Sequence, residues 1–132
     1  MTIFQAIGTA GSGVGVYRKW LDAVSDNIAN MNTVRATSQS AYQAEYVIAT
    51  PLADGTGVQV GGTRLGSAAG RLVYEPGHPL ADVRGYVRYP EIDLGEQMGE
   101  LIMAQRGYQA NLSVVDRARE AYQSALQLGR GA

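Results

Sequence analysis

The chain has 132 residues, a formal net charge of −1, one histidine, no cysteine and 17 glycines, nearly twice the usual glycine share of ~7%. That length holds one domain of ordinary size and excludes a two-domain enzyme with a separate cofactor domain. The 11 basic and 12 acidic residues are spread along the chain, so no field recruits a polyanion and nucleic acid is not an expected partner. Without cysteine there is no disulfide, thiolate chemistry or zinc–thiolate site.

The first 17 residues carry no charged side chain. They do not resemble a cleaved Sec-type signal or a membrane span. The first basic residues, Arg18 and Lys19, come after the apolar part instead of preceding it, and Thr2, Gln5, Thr9 and Ser12 dilute it. The spacing is helical: Ile3, Ile7, Ala10, Val14, Tyr17, Leu21, Val24, Ile28 and Met31 succeed one another at alternating steps of four and three, a heptad seam that predicts a helix packed lengthwise on another. Asn30, Met31 and Asn32 are expected to end it, asparagine tolerating the left-handed conformation.

Residues 33–93 change character. Tyr42, Ala44, Tyr46 and Ile48 alternate with Gln43, Glu45, Val47 and Ala49 up to Pro51, the period-two pattern of a strand. Val58 and Val60, Leu72 to Tyr74, and Tyr86 to Tyr89 are further short strand candidates, and six glycines fall between Gly55 and Gly70. This stretch has too little apolar content for a core of its own and reads as a small β-rich insertion.

A second heptad run occupies the C-terminal part: Leu94, Met98, Leu101, Gln105, Tyr108, Leu112, Val115, Arg119, Tyr122 and Leu126, with only Gln105 and Arg119 breaking it. Asp93 and Glu96 resemble a capping box, Gly129 a stop, and the acidic-to-basic charge order suits the helix dipole. The two helices span very roughly 43 and 52 Å, whereas a compact chain of this size has a radius of gyration near ~14 Å, so the molecule is expected to be elongated. The fold class is therefore mainly α with a small β insertion. Residues 1–32 and 94–132 form a discontinuous helical core packed as a coiled-coil hairpin, and residues 33–93 form the insertion.

Chemistry-bearing residues are few. Gly8, Gly11, Gly13 and Gly15 lie inside a heptad pattern with no preceding strand, the wrong context for a dinucleotide loop. They weaken the helix by up to ~1 kcal/mol each relative to alanine. Gly8, Gly11, Ser12 and Gly15 also smooth one flank for close approach of another backbone. His78 sits between Pro76 and Pro79 and reads as part of a turn, since neither a second histidine nor a spaced carboxylate cluster supports catalysis or a metal. Trp20 falls outside the seam, as an interface or flanking core residue. No cofactor or small-molecule substrate is implied.

Ile7 to Gly13 together with Asp26-Asn27-Ile28-Ala29-Asn30 resembles the N-terminal signature of the flagellar rod and hook family, in which an Asn-x-Ala-Asn element closes the first helix. Val73-Tyr74-Glu75-Pro76-Gly77-His78-Pro79-Leu80-Ala81-Asp82, with Gly85-Tyr86-Val87, is similar to proximal-rod members of that family, as is Arg106-Gly107-Tyr108-Gln109-Ala110-Asn111. The likeness covers nearly the whole chain and departs at Met31 and around Thr33 to Ala41. It implies a structural subunit of the basal-body proximal rod, without enzymatic activity. Such a subunit leaves by the flagellar type III export apparatus and polymerises through its terminal helices into the tubular drive shaft. Implied partners are homologous subunits, other rod proteins and the basal export-gate adaptor. The residues expected at helix-packing or assembly contacts are Ile3, Ile7, Val14, Tyr17, Leu21, Val24, Ile28, Met98, Leu101, Tyr108, Leu112, Val115, Tyr122 and Leu126. Two competing readings are a secreted helical-hairpin adaptor that pairs with one partner without forming a filament, and a small enzyme acting through His78 and a carboxylate.

Overall fold

The computed structural model describes residues 2–131, so Met1 and Ala132, the ends of the two helical segments, lie outside the described residues. Two long helices, α1 (Ile3–Asn30) and α2 (Leu94–Arg130), enclose four strands, β1 (Glu45–Pro51), β2 (Val58–Leu65), β3 (Arg71–Tyr74) and β4 (Tyr86–Tyr89). The strands form two separate antiparallel hairpins, β1–β2 and β3–β4.

α1 opens on a reciprocal cap. The Gln5 N–H donates to Thr2 Oγ1 at 3.2 Å, and the Thr2 N–H donates to Gln5 Oε1 at 2.8 Å. This arrangement satisfies two backbone donors that a helix start otherwise leaves free. At α2 the cap residue is Asp93, whose carboxylate accepts from the Glu96 N–H at 2.7 Å. The complete box thus stands at Thr2 and Gln5, a pair that apolar spacing does not mark. α1 ends where expected, with Met31 as the cap, but with right-handed backbone angles instead of a left-handed asparagine, and no described non-glycine residue has positive φ. Asn30 acts through its side chain instead, donating to the Asp26 carbonyl at 2.9 Å and accepting from the Thr33 hydroxyl at 3.2 Å. Gly129 does not stop α2, which runs one residue further to Arg130.

α1 and α2 lie antiparallel. Phe4 meets Tyr122 edge-on with ring centroids 5.3 Å apart, and at the other end Asn27 meets Gln97. On α1 every residue of the sequence seam from Ile3 to Met31 is buried or half-buried. On α2 the face turned to α1 is rotated from the one the apolar spacing suggested. Gln97, Leu101, Ala104, Tyr108, Asn111, Val115 and Ala118 are covered, again at steps of four and three, while Leu94, Met98 and Leu112 are exposed beside them; Tyr122, which meets Phe4, and Leu126 are exposed where α1 no longer runs alongside. The two apparent breaks, Gln105 and Arg119, are exposed for the same reason. Small residues decide the rotation, because they let the two backbones approach closely where leucine would hold them apart.

The β1–β2 hairpin packs lengthwise on α1. Asn27 holds Glu45 at the start of β1, and Ser12 holds Val58 at the start of β2. The roughly 22 Å of helix between Ser12 and Asn27 matches the roughly 23 Å spanned by a seven-residue strand. A bulge between Ile48 and Ala49 leaves Gly61 without a partner across the pair. The strand begins at Glu45, three residues after the alternation suggested. Among the described residues, β3–β4 packs against neither helix. It is tied on through a bridge in which Arg35 and Arg88 exchange backbone hydrogen bonds of 2.9 Å.

The resulting core is thin. Among the described residues the buried aliphatic side chains are alanine (Ala10, Ala23, Ala41, Ala44 and Ala104) and valine (Val16, Val24 and Val87), with Pro90 also buried. The chain's larger apolar side chains remain half-buried or exposed, so most of their hydrophobic free energy is not realised within one molecule.

Candidate functional site

The family-like motifs at the two ends of the sequence meet in space. The Asn111 Nδ2 donates to the Gly107 carbonyl at 2.8 Å, one turn back, which turns the amide toward α1. There its Oδ1 would lie 2.7 Å from a Cβ added to Gly13. One turn along, the Tyr17 ring lies directly over Gly107, in the space a side chain there would need. Tyr17 in turn stacks on Trp20, centroids 5.9 Å apart, and the Trp20 Nε1 donates to Glu100 Oε2 at 3.1 Å. Trp20 thus flanks the helix pair, half-buried. The two helices interlock through glycine, asparagine and aromatic residues as much as through an aliphatic seam.

At the far end, Asn27 is fully buried and joins three elements. Its Nδ2 donates to the Glu45 carbonyl and to Gln97 Oε1, each at 2.9 Å, and its Oδ1 accepts from the Glu45 N–H at 2.7 Å. A side-chain amide here substitutes for a backbone neighbour of β1, satisfying donor and acceptor in a place water does not reach. Gln97 is equally buried, and its Nε2 has no hydrogen-bond partner. Sequence reasoning does not single out Gln97, because glutamine is an ordinary surface residue of helices and nothing in one sequence marks it as buried. In the same motif, Ala29 is exposed and Asn30 half-buried.

The third motif builds the loop between β3 and β4. The His78 N–H donates to the Glu75 carbonyl at 3.0 Å, and its Nδ1 accepts from the Leu80 N–H at 3.1 Å, so the imidazole closes the turn. Asp82 organises the approach to β4. Its Oδ1 accepts from the Arg84 N–H at 2.9 Å and the Tyr86 N–H at 3.0 Å, and its Oδ2 from the Thr37 hydroxyl at 3.1 Å. These bonds hold the carboxyl below the ordinary carboxylate value, the Tyr86 N–H most of all. Asp82 and Gly85 occupy the first and last positions of a turn, closed by the Gly85 N–H on the Asp82 carbonyl at 2.9 Å. Gly85 has φ +84°, a conformation L side chains rarely adopt, and the Tyr74 ring and Pro76 crowd its open side. Tyr89 donates to Glu75 Oε1 at 3.0 Å, which pushes its phenol above the usual value. Tyr74, Pro76, Gly77 and Pro79 are exposed, and Glu75 is half-buried.

Of the residues expected at packing or assembly contacts, Val24 is fully buried. Ile3, Ile7, Val14, Tyr17, Leu21, Ile28, Leu101, Tyr108 and Val115 are half-buried. Met98, Leu112, Tyr122 and Leu126 are exposed in the single chain. Gln109 and Ala110, inside the C-terminal motif, are exposed too. Among the described residues no group of three or more His, Cys, Asp or Glu could hold a metal ion, and no helix is long and apolar enough to cross a membrane.

Comparison with known proteins defines the class. Residues 8–37 match the family model for the flagella basal body rod protein, and residues 83–128 match that for the C-terminal part of the flagellar basal body rod FlgEFG proteins. The first covers most of α1 with its Asn27 motif and the second covers β4 and nearly all of α2, so the interlocked helices are those of a flagellar basal-body rod protein. The chain is 34% identical over 134 residues to the flagellar basal-body rod protein FlgC of Salmonella typhimurium, covering 98% of this chain and all of that one. It is 30% identical to FlgC of Borreliella burgdorferi over 152 residues and 27% identical to FlgC of Bacillus subtilis over 150, in both cases across the relative's full length. The chain belongs to the FlgC family of flagellar basal-body rod proteins, and it is a structural subunit, not an enzyme.

Proposed function

We propose that the chain polymerises through the uncovered faces of α1 and α2 into the proximal part of the tubular rod, the drive shaft that transmits torque. In this reading residues 1–32 and 94–132 form the axial core and continue as a coiled coil among neighbouring subunits. Residues 33–93 are an insertion that stiffens contacts around it. The observation that carries the proposal is the surface of α2 away from α1, where Met98, Ile102, Met103, Leu112 and Val114 are exposed although α1 already covers the other side. Soluble monomers rarely leave so long an apolar face without a partner.

Homologous subunits and the other rod proteins are the proposed partners, with the basal export-gate adaptor at the inner end. Export without a cleaved signal, through the flagellar type III apparatus, to the periplasmic side is part of the same proposal. A thin alanine-rich core supports it, since a chain that gains most of its burial on assembly is easily unfolded for passage. Imaging basal bodies from cells that lack the chain tests the reading. A missing or truncated rod is the expected result, and a normal rod would favour the single-partner adaptor instead.

A further inference from the structure

The contact between Phe4 and Tyr122 marks where α1 ends against α2, and α2 continues to Arg130 with residues 121–130 exposed throughout. The eight residues of it beyond Tyr122 are about two turns, or roughly 12 Å, of helix without cover. This tail presents Leu126 and Leu128, the latter 79% exposed. Beside the start of α1 lies a hollow of about 470 Å³ lined by Phe4, Gln5, Gly8, Thr9, Leu52 and Thr56, between the helix and the β1–β2 turn. The hollow is open at its helix wall: a Cβ added to Gly8 would meet nothing within 4 Å.

We propose that the α2 tail of one copy of this chain seats in this hollow on the next copy. The proposal rests on the polymerising reading above and names the contact. Charge pattern is the first ground. Residues 2–17 and 121–129 contain no charged side chain, nor do residues 107–115 of α2, whereas the segments between carry charges such as Arg18, Lys19 and Asp22 on α1 and Arg117, Arg119 and Glu120 on α2. The tail as far as Gly129 and the helix wall of the hollow can therefore be buried together without stripping water from an ion.

Geometry is the second ground. α2 is continuous from Leu94 to Arg130 and leaves the molecule past the start of α1, so the tail does not turn back into its own hollow. Gly8 lies about eight residues of helix behind Leu126, so the contact sets neighbouring copies side by side with a stagger of roughly 12 Å along the helix axis. Donor and acceptor surfaces differ, which makes the contact heterologous and lets it propagate instead of closing as a two-fold dimer.

Because the natural chain has no cysteine, the test is a disulfide pair. Full-length chain carrying Gly8→Cys and Leu126→Cys is oxidised mildly in isolated rods and as purified protein at rising concentration. A ladder of dimers, trimers and longer species is expected. Monomer alone, or a dimer with nothing above it, would overturn the proposal. Two further variants separate this contact from the rod reading itself: Gly8→Leu, whose Cβ meets nothing within 4 Å and whose side chain occupies the hollow, and a chain ended after Gln123, which among the described residues removes only exposed ones. Both are expected to keep wild-type helicity and to lose rod assembly. Normal rods from both would refute the tail contact while leaving the rod reading intact. Normal rods from these and also from Leu112→Asp, on the α2 outer face, would refute both.

Discussion

The side chain of Asn27 grips the backbone of Glu45 from both sides, accepting its N–H at 2.7 Å and donating to its carbonyl at 2.9 Å. One amide thereby fixes where the strand begins along the helix, and with its bond to Gln97 it fixes where α2 begins as well. Asn27→Asp is nearly the same shape but loses both donated bonds and places a carboxylate at a fully buried position. Asn27→Ala leaves the Glu45 backbone unpaired. Each is expected to cost about 1–3 kcal/mol or more in urea denaturation of the purified chain, with faster amide exchange concentrated in β1 and at the start of α2.

Glycines on α1 and α2 divide by what faces them. Gly107 lies under the Tyr17 ring and Gly13 under the Asn111 amide, whereas Gly8, Gly11 and Gly15 face open space. Gly107→Ala is expected to lower stability by about 1–3 kcal/mol through overpacking. Gly8→Ala, Gly11→Ala and Gly15→Ala are each expected to raise helix stability by up to about 1 kcal/mol. Thermal unfolding monitored by circular dichroism at about 222 nm distinguishes the two signs.

The β3–β4 loop has a pH window set by two groups of opposite sense. Hydrogen bonds from Tyr86, Arg84 and Thr37 hold Asp82 below its ordinary value of 3.8, so its contribution is complete above that value and is lost as pH falls through the lowered one. The bond to Glu75 raises Tyr89 above 10.0, so its contribution is complete below that value and is lost as pH rises through the raised one. Amide exchange at Arg84 and Tyr86 is expected to accelerate at the acid end, and Asp82→Ala to show fast exchange at neutral pH. His78→Ala, which removes only the acceptor for the Leu80 N–H, is expected to leave rods and motility intact.

Much of the architecture was legible from apolar spacing alone. Two helices and four short strands come from period and turn chemistry, and Asn27 was marked by the resemblance to the rod and hook family. Spacing did not reveal which face of α2 its own chain covers. A seam read from Leu112 and Leu126 marks apolar surface without saying whether α1 or a neighbour buries it, and here small residues such as Ala104 and Gly107 took the intramolecular face. Gln97 was invisible because only its surroundings distinguish it from a surface glutamine. The glycine excess likewise had two meanings that composition could not separate: close packing at Gly13 and Gly107, and open helix surface at Gly8, Gly11 and Gly15.

Val24 and Leu112 were equivalent as seam residues and are not equivalent in the fold. Val24 has no exposure, so Val24→Asp is expected to unfold the chain, at a cost of roughly 2–7 kcal/mol even for the neutral acid. Leu112 is 40% exposed on the outer flank of α2, so Leu112→Asp is expected to change the stability of the isolated chain by less than about 1 kcal/mol.

The apolar faces left uncovered in one molecule are, on the reading proposed above, contacts between subunits. Imaging basal bodies from cells whose only copy carries Leu112→Asp tests this most directly, after circular dichroism has established that the purified variant keeps its helices. A truncated or absent rod and non-motile cells are the predicted result. A complete rod with normal motility would contradict it.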